Sequence, residues 1–139
     1  MALVDLDRIP QVALPFINQD HRVEADLLNR LHAALGAHRA GGPAAPVLEA
    51  FEKLLAHTRE HFGREEEAMR RAGFPPYPVH KEEHDRVLEE MEEEGRAFGE
   101  KGDRERLWRY VSEAVPSWFV SHIQSMDAIT AQFVSMRGG

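Results

Sequence analysis

Apolar residues recur three and four positions apart through most of this chain, the spacing that lines one face of a helix. Four such stripes can be drawn. The first runs through Ile17, Leu28, Leu31 and Leu35, the second through Phe51, Leu54, Leu55, Phe62 and Met69. The third takes in Val87, Leu88, Met91 and Phe98. The fourth takes in Trp108, Val111, Val115, Trp118, Phe119, Met126 and Phe133. Breakers separate them. Asn18 is a fair N-cap for a helix over 18–38, which the Ala40–Pro43 stretch AGGP ends. A second helix opens near Pro43 and Pro46, where proline suits a first turn, and runs to about Ala72. Gly73 to Pro76 forces a turn before a third helix over 77–98, closed by Gly99 to Gly102. Asp103 caps a long fourth segment ending near Met136, which Pro116 should kink or divide.

The expected fold is therefore all-α: an up-down-up-down four-helix bundle over 18–139, one domain, preceded by an N-terminal extended arm over 1–17. Pro10 and Pro15 interrupt helix in the arm, while Val12, Leu14, Phe16 and Ile17 offer apolar contacts to the body.

Composition narrows the function. A length of 139 residues with 42% hydrophobic and 29% charged residues fits a single folded domain. The net charge of −7 argues against nucleic acid as a partner, because phosphate binding draws on lysine and arginine. Much of the acid lies in Glu82–Glu94 and reads as a solvated helix face. No stretch is apolar enough to span a bilayer, and the N-terminus lacks the pattern of a secretion signal, so no membrane role and a cytoplasmic setting are expected. The absence of cysteine removes thiolate and iron–sulfur chemistry. Any metal must be held by nitrogen and oxygen.

Such ligands are present at ordered spacings. His61 and Glu65 lie four apart, as do His80 and His84, so each pair shares a helix face. His21 precedes them. His122 and Asp127 follow, five apart, which sets them about 140° from each other on an ideal helix unless local distortion narrows the angle. The ligand-type residues border the apolar stripes. Imidazoles and carboxylates facing a core need partners, and a metal satisfies several at once. One fragment of this kind is weak evidence. All of them in order, one per expected helix, form a specific constellation. No nucleophile motif of a hydrolase appears, and the HxxxH spacing lacks the glutamate of a metalloprotease.

The stretches INQDH ending at His21, HFGREE with Met69, HKEEH over His80 to His84, and WFVSHIQSMD ending at Asp127 together resemble the hemerythrins, in particular the bacterial hemerythrin-like domains, over about residues 16 to 135. The resemblance implies two iron ions in a non-heme, oxo- or hydroxo-bridged centre. His80, His84 and His122 would hold one iron, His21 and His61 the other, and Glu65 and Asp127 would bridge them. It also implies that dioxygen, or another small diatomic or peroxide ligand, binds at the open position of the two-histidine iron. The apolar residues lining that position would be Phe62, Trp118, Phe119 and Ile123, which serve equally as core packing.

One position departs from the family pattern. Oxygen-carrying members usually place an apolar residue one turn after the first histidine, and this chain has Glu24. On a helical wheel Glu24 falls at about −60° from His21, inside the stripe of Ile17, Leu28, Leu31 and Leu35. Three readings stand: a ligand to the open iron position, a proton donor to the bound ligand, or a side chain that bends out to water. The first two would favour an oxidoreductase (a peroxidase, oxidase or nitric oxide reductase) over storage, delivery or sensing of dioxygen. Metal handling without redox chemistry is a further class. Dioxygen binding is favoured over enzyme activity. His57 lies on the far edge of its stripe and is expected away from the site, and His32 and His38 are expected at the surface.

Overall fold

A computed structural model describes residues 2–138, which form helices and turns with no strand among them. The long helices are α1 (Pro15–Arg39), α2 (Ala45–Ala72) and α3 (Tyr77–Lys101). A fourth helical run over 104–136 comprises α4 (Arg104–Arg109), α5 (Val115–His122) and α6 (Ala128–Met136), joined by two widened π-turns, Tyr110–Ala114 and Ile123–Asp127. The arrangement is that of a four-helix bundle.

Helix α1 begins at Pro15, earlier than expected. Proline opens the helix there instead of breaking it, because the amide it lacks would have no partner in a first turn. Asn18 is therefore not the cap. Its side chain clamps the preceding segment, accepting from the Val12 amide at 2.8 Å and donating to the Val12 carbonyl at 2.9 Å. Asn29 does the same for Val4, at 2.7 and 2.8 Å. The segment before α1 carries a short 3₁₀ turn, Leu6–Arg8, and buries Ile9 against Ala25, Phe119 and Ile123. Leu14 and Ile17 pack on Ala131 and Val134 of α6.

The helix ends follow local chemistry. Gly73, at φ 67°, takes the left-handed conformation that closes α2, and the amides of Gly73 and Phe74 bond back to the carbonyls of Arg70 and Met69. Helix α3 continues through Gly99 to Lys101 and stops at Gly102, φ 63°. Asp103 caps α4 by accepting from the Arg106 amide at 3.1 Å. Pro116 neither ends nor divides the fourth run. The π-turn just before it gives the Val115 amide a partner in the Tyr110 carbonyl, and the wider turn relieves the crowding a proline ring meets in a tight one.

The larger part of the core joins Leu28, Leu31 and Leu35 of α1 to Phe51 and Leu54 of α2 and Met91 of α3. Of the acidic run, Glu83 and Glu94 are not simply solvated: Glu83 accepts from the Trp118 indole at 3.1 Å, and Glu94 accepts a forked pair of bonds from Arg106. Within the described residues, no helix is long and apolar enough to cross a membrane.

Candidate metal centre

Between the core around Leu31 and Phe51 and a smaller apolar cluster of Leu14, Ile17, Ala131 and Val134, the interior turns polar. His21, His61, Glu65, His80, His84, His122 and Asp127 are all buried. One atom from each of Glu65, His80, His84, His122 and Asp127 lies within 4.8 Å of all the others, and His21, His61 and Glu65 form a second such group. The i, i+4 pairs on α2 and α3 supply four of these side chains by helical repeat alone.

The pair on the fourth run needs more. Through Ile123–Asp127 the Ala128 amide bonds to the Ile123 carbonyl, five residues back. That adds one residue to the turn, so the fifth residue stacks where the fourth would in an α-helix. His122 Nε2 and Asp127 Oδ1 are thereby 3.1 Å apart. Ser125 favours the widening: its hydroxyl donates to the Ser121 carbonyl at 2.7 Å and competes with the regular ladder.

Each carboxylate divides its oxygens between the two groups. Asp127 Oδ1 lies 3.1 Å from the Nε2 atoms of both His80 and His122, and Oδ2 lies 2.8 Å from His21 Nε2. Glu65 Oε1 lies 3.3 Å from His84 Nε2, and Oε2 lies 2.6 Å from His61 Nε2.

This packing suits a cation better than it suits itself. The Nε2 atoms of His80 and His122 face each other at 3.2 Å. The buried Glu65 Oε1, His84 Nε2 and Asp127 Oδ1 have no hydrogen-bond partner. Lone pairs that converge without donors cost free energy unless protons or metal ions lie between them. Imidazole and carboxylate together are the donor set of iron or zinc.

Without metal, protons do this work. Burial, the largest influence, pushes the Glu65 carboxyl up, as does Asp127, but the charge on His61 and the contacts of His61 and His84 together pull the group down to about 2. Burial likewise raises Asp127, and the imidazoles of His122, His21 and His80 around it bring it well below the usual carboxylate range. Burial lowers His61, yet Glu65 and Glu24 lift it well above an ordinary imidazole. His84 is raised in the same way, burial being overcome by the carboxylates of Glu65 and Glu66 beside it.

Outer contacts orient the rings. His84 Nδ1 donates to Glu66 Oε2 at 2.9 Å, and His80 Nδ1 pairs with Thr130 Oγ1 at 2.8 Å. Sequence reasoning singled out neither Glu66 nor Thr130. Thr130 lies three positions after Asp127, so helical spacing held a signal for it, whereas Glu66, next to Glu65, points about 100° away on the helix and offered none. Phe62 stacks flat on His84 with ring centroids 3.8 Å apart, Trp118 stacks on His122 at 4.5 Å, and Phe119 meets His21 edge-on at 5.7 Å. A cavity of about 240 Å³ lies beside the centre, lined by Trp118, Phe119, Glu24, Thr58, Leu28 and Met91 among others. Phe62 and Ile123 are buried but do not line it.

Glu24 lies outside these two groups but forms a third with His57 and His61, one atom of each within 4.8 Å of the others. Its Oε2 accepts from the Thr58 hydroxyl at 2.6 Å, and its Oε1 lies 3.6 Å from His61 Nδ1, the nitrogen remote from Glu65. It does not bend out to water, for its side chain is 12% exposed. His57, half-buried, reaches the Asp20 carbonyl at 3.1 Å and stands 3.5 Å from Glu24. His32 and His38 are half-buried, not surface residues. His32 stacks on Trp108 at 4.5 Å, and His38 Nδ1 donates to the Gly42 carbonyl at 2.8 Å, closing the end of α1.

Fold and site together define a helical-bundle protein with a buried histidine–carboxylate cluster suited to metal. The sequence matches the family model of the hemerythrin HHE cation binding domain over residues 12–134, and the chain belongs to the hemerythrin family. It is 29% identical to a bacteriohemerythrin of Aquifex aeolicus over 130 residues, covering 94% of this chain and 96% of that one. It is 35% identical to a bacteriohemerythrin of Ralstonia nicotianae over 99 residues, 71% of each chain. A bacteriohemerythrin of Stenotrophomonas maltophilia shares 28% over 134 residues, 96% of this chain and 83% of that one.

Proposed function

We propose that this chain is a non-heme di-iron protein that binds dioxygen reversibly, for storage, delivery or sensing. The observation that carries the reading is the division of the carboxylate oxygens: Glu65 and Asp127 each present one oxygen to the three-histidine group and the other toward His21 or His61. That disposition suits two ions bridged by two carboxylates. His80, His84 and His122 would hold one iron and His21 and His61 the other, leaving the second with room for a small ligand. When bound, the irons supply the ligand position and the electrons on which dioxygen binding draws.

The protein's own share is to hold, orient and exclude. Thr130 and Glu66 fix the rings of His80 and His84. Phe62, Trp118 and Phe119 cover the imidazoles, with Ile123 packed behind Phe119, and keep bulk water away. The cavity beside Trp118 and Phe119 offers a small molecule a way in. The oxidoreductase reading draws on Glu24 as ligand or proton donor. Because that carboxylate turns toward Thr58 and the far side of His61, the geometry favours binding over turnover.

The short connections, 40–44, 73–76 and 102–103, support helices that alternate up and down, with the residues before Pro15 as an arm and the helices from Pro15 to Met136 as the bundle domain. The net charge of −7 disfavours nucleic acid as a partner.

The test is anaerobic loading with ferrous iron, a metal count, then cycles of dioxygen and inert gas. Two irons per chain and an optical change that reverses over several cycles are expected. A single iron, or steady consumption of dioxygen, peroxide or nitric oxide with a reductant, would overturn the reading.

A further inference from the structure

The carboxylate of Glu24 is buried in an apolar stripe, where it needs a compensating donor. Thr58 serves one oxygen at 2.6 Å. The other, Oε1, has no hydrogen-bond partner, and neither has His61 Nδ1 opposite it at 3.6 Å. Both atoms are shielded from solvent, and they face each other. A movement of about 0.7 Å would bring them to ordinary hydrogen-bond length. His57 Nε2, 3.5 Å from the same oxygen, adds a second polar neighbour on that side.

An imidazole that binds metal through Nε2 carries its proton on Nδ1, and that proton requires an acceptor. In the three-histidine group His80 has Thr130 and His84 has Glu66 in this position. In the two-histidine group the residue facing His61 Nδ1 is Glu24, while His21 Nδ1 has no hydrogen-bond partner. Resting on the two-metal reading above, we infer that Glu24 is a positioning residue: it accepts the Nδ1 proton of His61, fixes that ring on the metal, and increases the electron donation of the imidazole. This replaces the ligand and proton-donor roles. Thr58 holds the carboxylate in place. A charged acceptor makes the stronger hydrogen bond, so the metal held by His61 is favoured in its more oxidised form.

The test uses cobalt(II) as the probe, titrated into the metal-free full chain against a competing chelator, for the wild type, Glu24→Gln, Glu24→Leu and Thr58→Val. Glu24→Leu should weaken one of the two binding steps by about 10–100-fold and leave the other within a few-fold. Glu24→Gln, which keeps an acceptor of the same shape but loses the charge, should fall between. Thr58→Val should weaken the same step by less than Glu24→Leu. Removing a buried acid should also raise the melting temperature of the metal-free Glu24→Leu protein, so stability and affinity move in opposite directions. In the iron-loaded proteins the reduction potential should rise from wild type to Glu24→Gln to Glu24→Leu. Equal affinities in all four proteins would overturn the inference. So would equal weakening of both steps together with a lower melting temperature, the mark of general packing damage. A wild type that takes up no metal pair would instead overturn the two-metal reading beneath it.

Discussion

His122 Nε2 and Asp127 Oδ1 stand 3.1 Å apart although five residues separate them on one helical run. An unbroken α-helix would point them about 140° apart. The π-turn Ile123–Asp127 absorbs the extra residue, and His122 and Asp127 converge because of it. Deleting Gln124, an exposed residue within the turn, should return the segment to α-geometry with Asp127 one turn after His122 and the rest of α6 still facing the core. Inserting an alanine after Ser125 should rotate α6 by about 100° and carry Asp127, Thr130 and Val134 away. Metal counts after loading should stay near wild type for the deletion and fall below one per chain for the insertion. Matching results for the two would show that the turn does not set the register.

Single ligand removals separate the two groups. His61→Ala should leave one metal per chain, held by the three-histidine group. Glu65→Ala should weaken both metals, since its oxygens face both groups at 2.6 and 3.3 Å. Elemental analysis of the purified variants reads this directly; a Glu65→Ala protein with two tightly held metals would refute it.

The metal-free and metal-loaded proteins should respond to pH with opposite signs. In the metal-free chain His61 and His84 lie above the ordinary imidazole value of 6.5. Their contribution to stability is complete below that pH and is lost as pH rises through the raised value. Glu65, lowered to about 2, and Asp127, held well below the usual carboxylate range, contribute above that range and lose that contribution as pH falls through their depressed values. The metal-free melting temperature should therefore peak at mildly acidic pH and decline toward pH 9. In the loaded protein the imidazoles are neutral and bind metal in competition with protons, so stability should rise from pH 5 to pH 8. Calorimetric scans of both forms check the crossing; parallel profiles would contradict it.

Gly95 marks a tight crossing. A Cβ added there would lie 2.6 Å from Phe51 Cε1, a buried ring with little room to yield. Alanine favours the helix by about 1 kcal/mol, but overpacking costs about 1–3 kcal/mol. Gly95→Ala should lower the melting temperature. Gly63→Ala, on α2 with open space around its Cβ, should raise it. Thermal melts of the two variants should move in opposite directions.

Stripes and breakers placed all four helical segments to within a few residues, because helical periodicity and the conformations of proline and glycine act locally. The exceptions were local too. Pro15 opened α1 because a proline tolerated in a first turn looks, in sequence, like one that breaks a helix. Gly99 stayed helical because Gly102, three residues on, offered the left-handed stop.

The ligand-type residues were legible because a helix repeats every 3.6 residues or so, and the pairs His61 with Glu65 and His80 with His84 obey that repeat without help. What the chain alone fixed was the helical pattern, the set of nitrogen and oxygen donors and, through its family motifs, their common purpose. Which oxygen faces which imidazole, the π-turn that brings in Asp127, and the direction of the Glu24 carboxylate were decided only when the helices packed. A helical wheel places a residue on a face, but a side chain's partner across the core depends on side-chain torsions and on neighbours far away in sequence. Glu24 shows the difference: its angle on α1 marked it as buried, and only Thr58 and His61 on α2 determined what it faces.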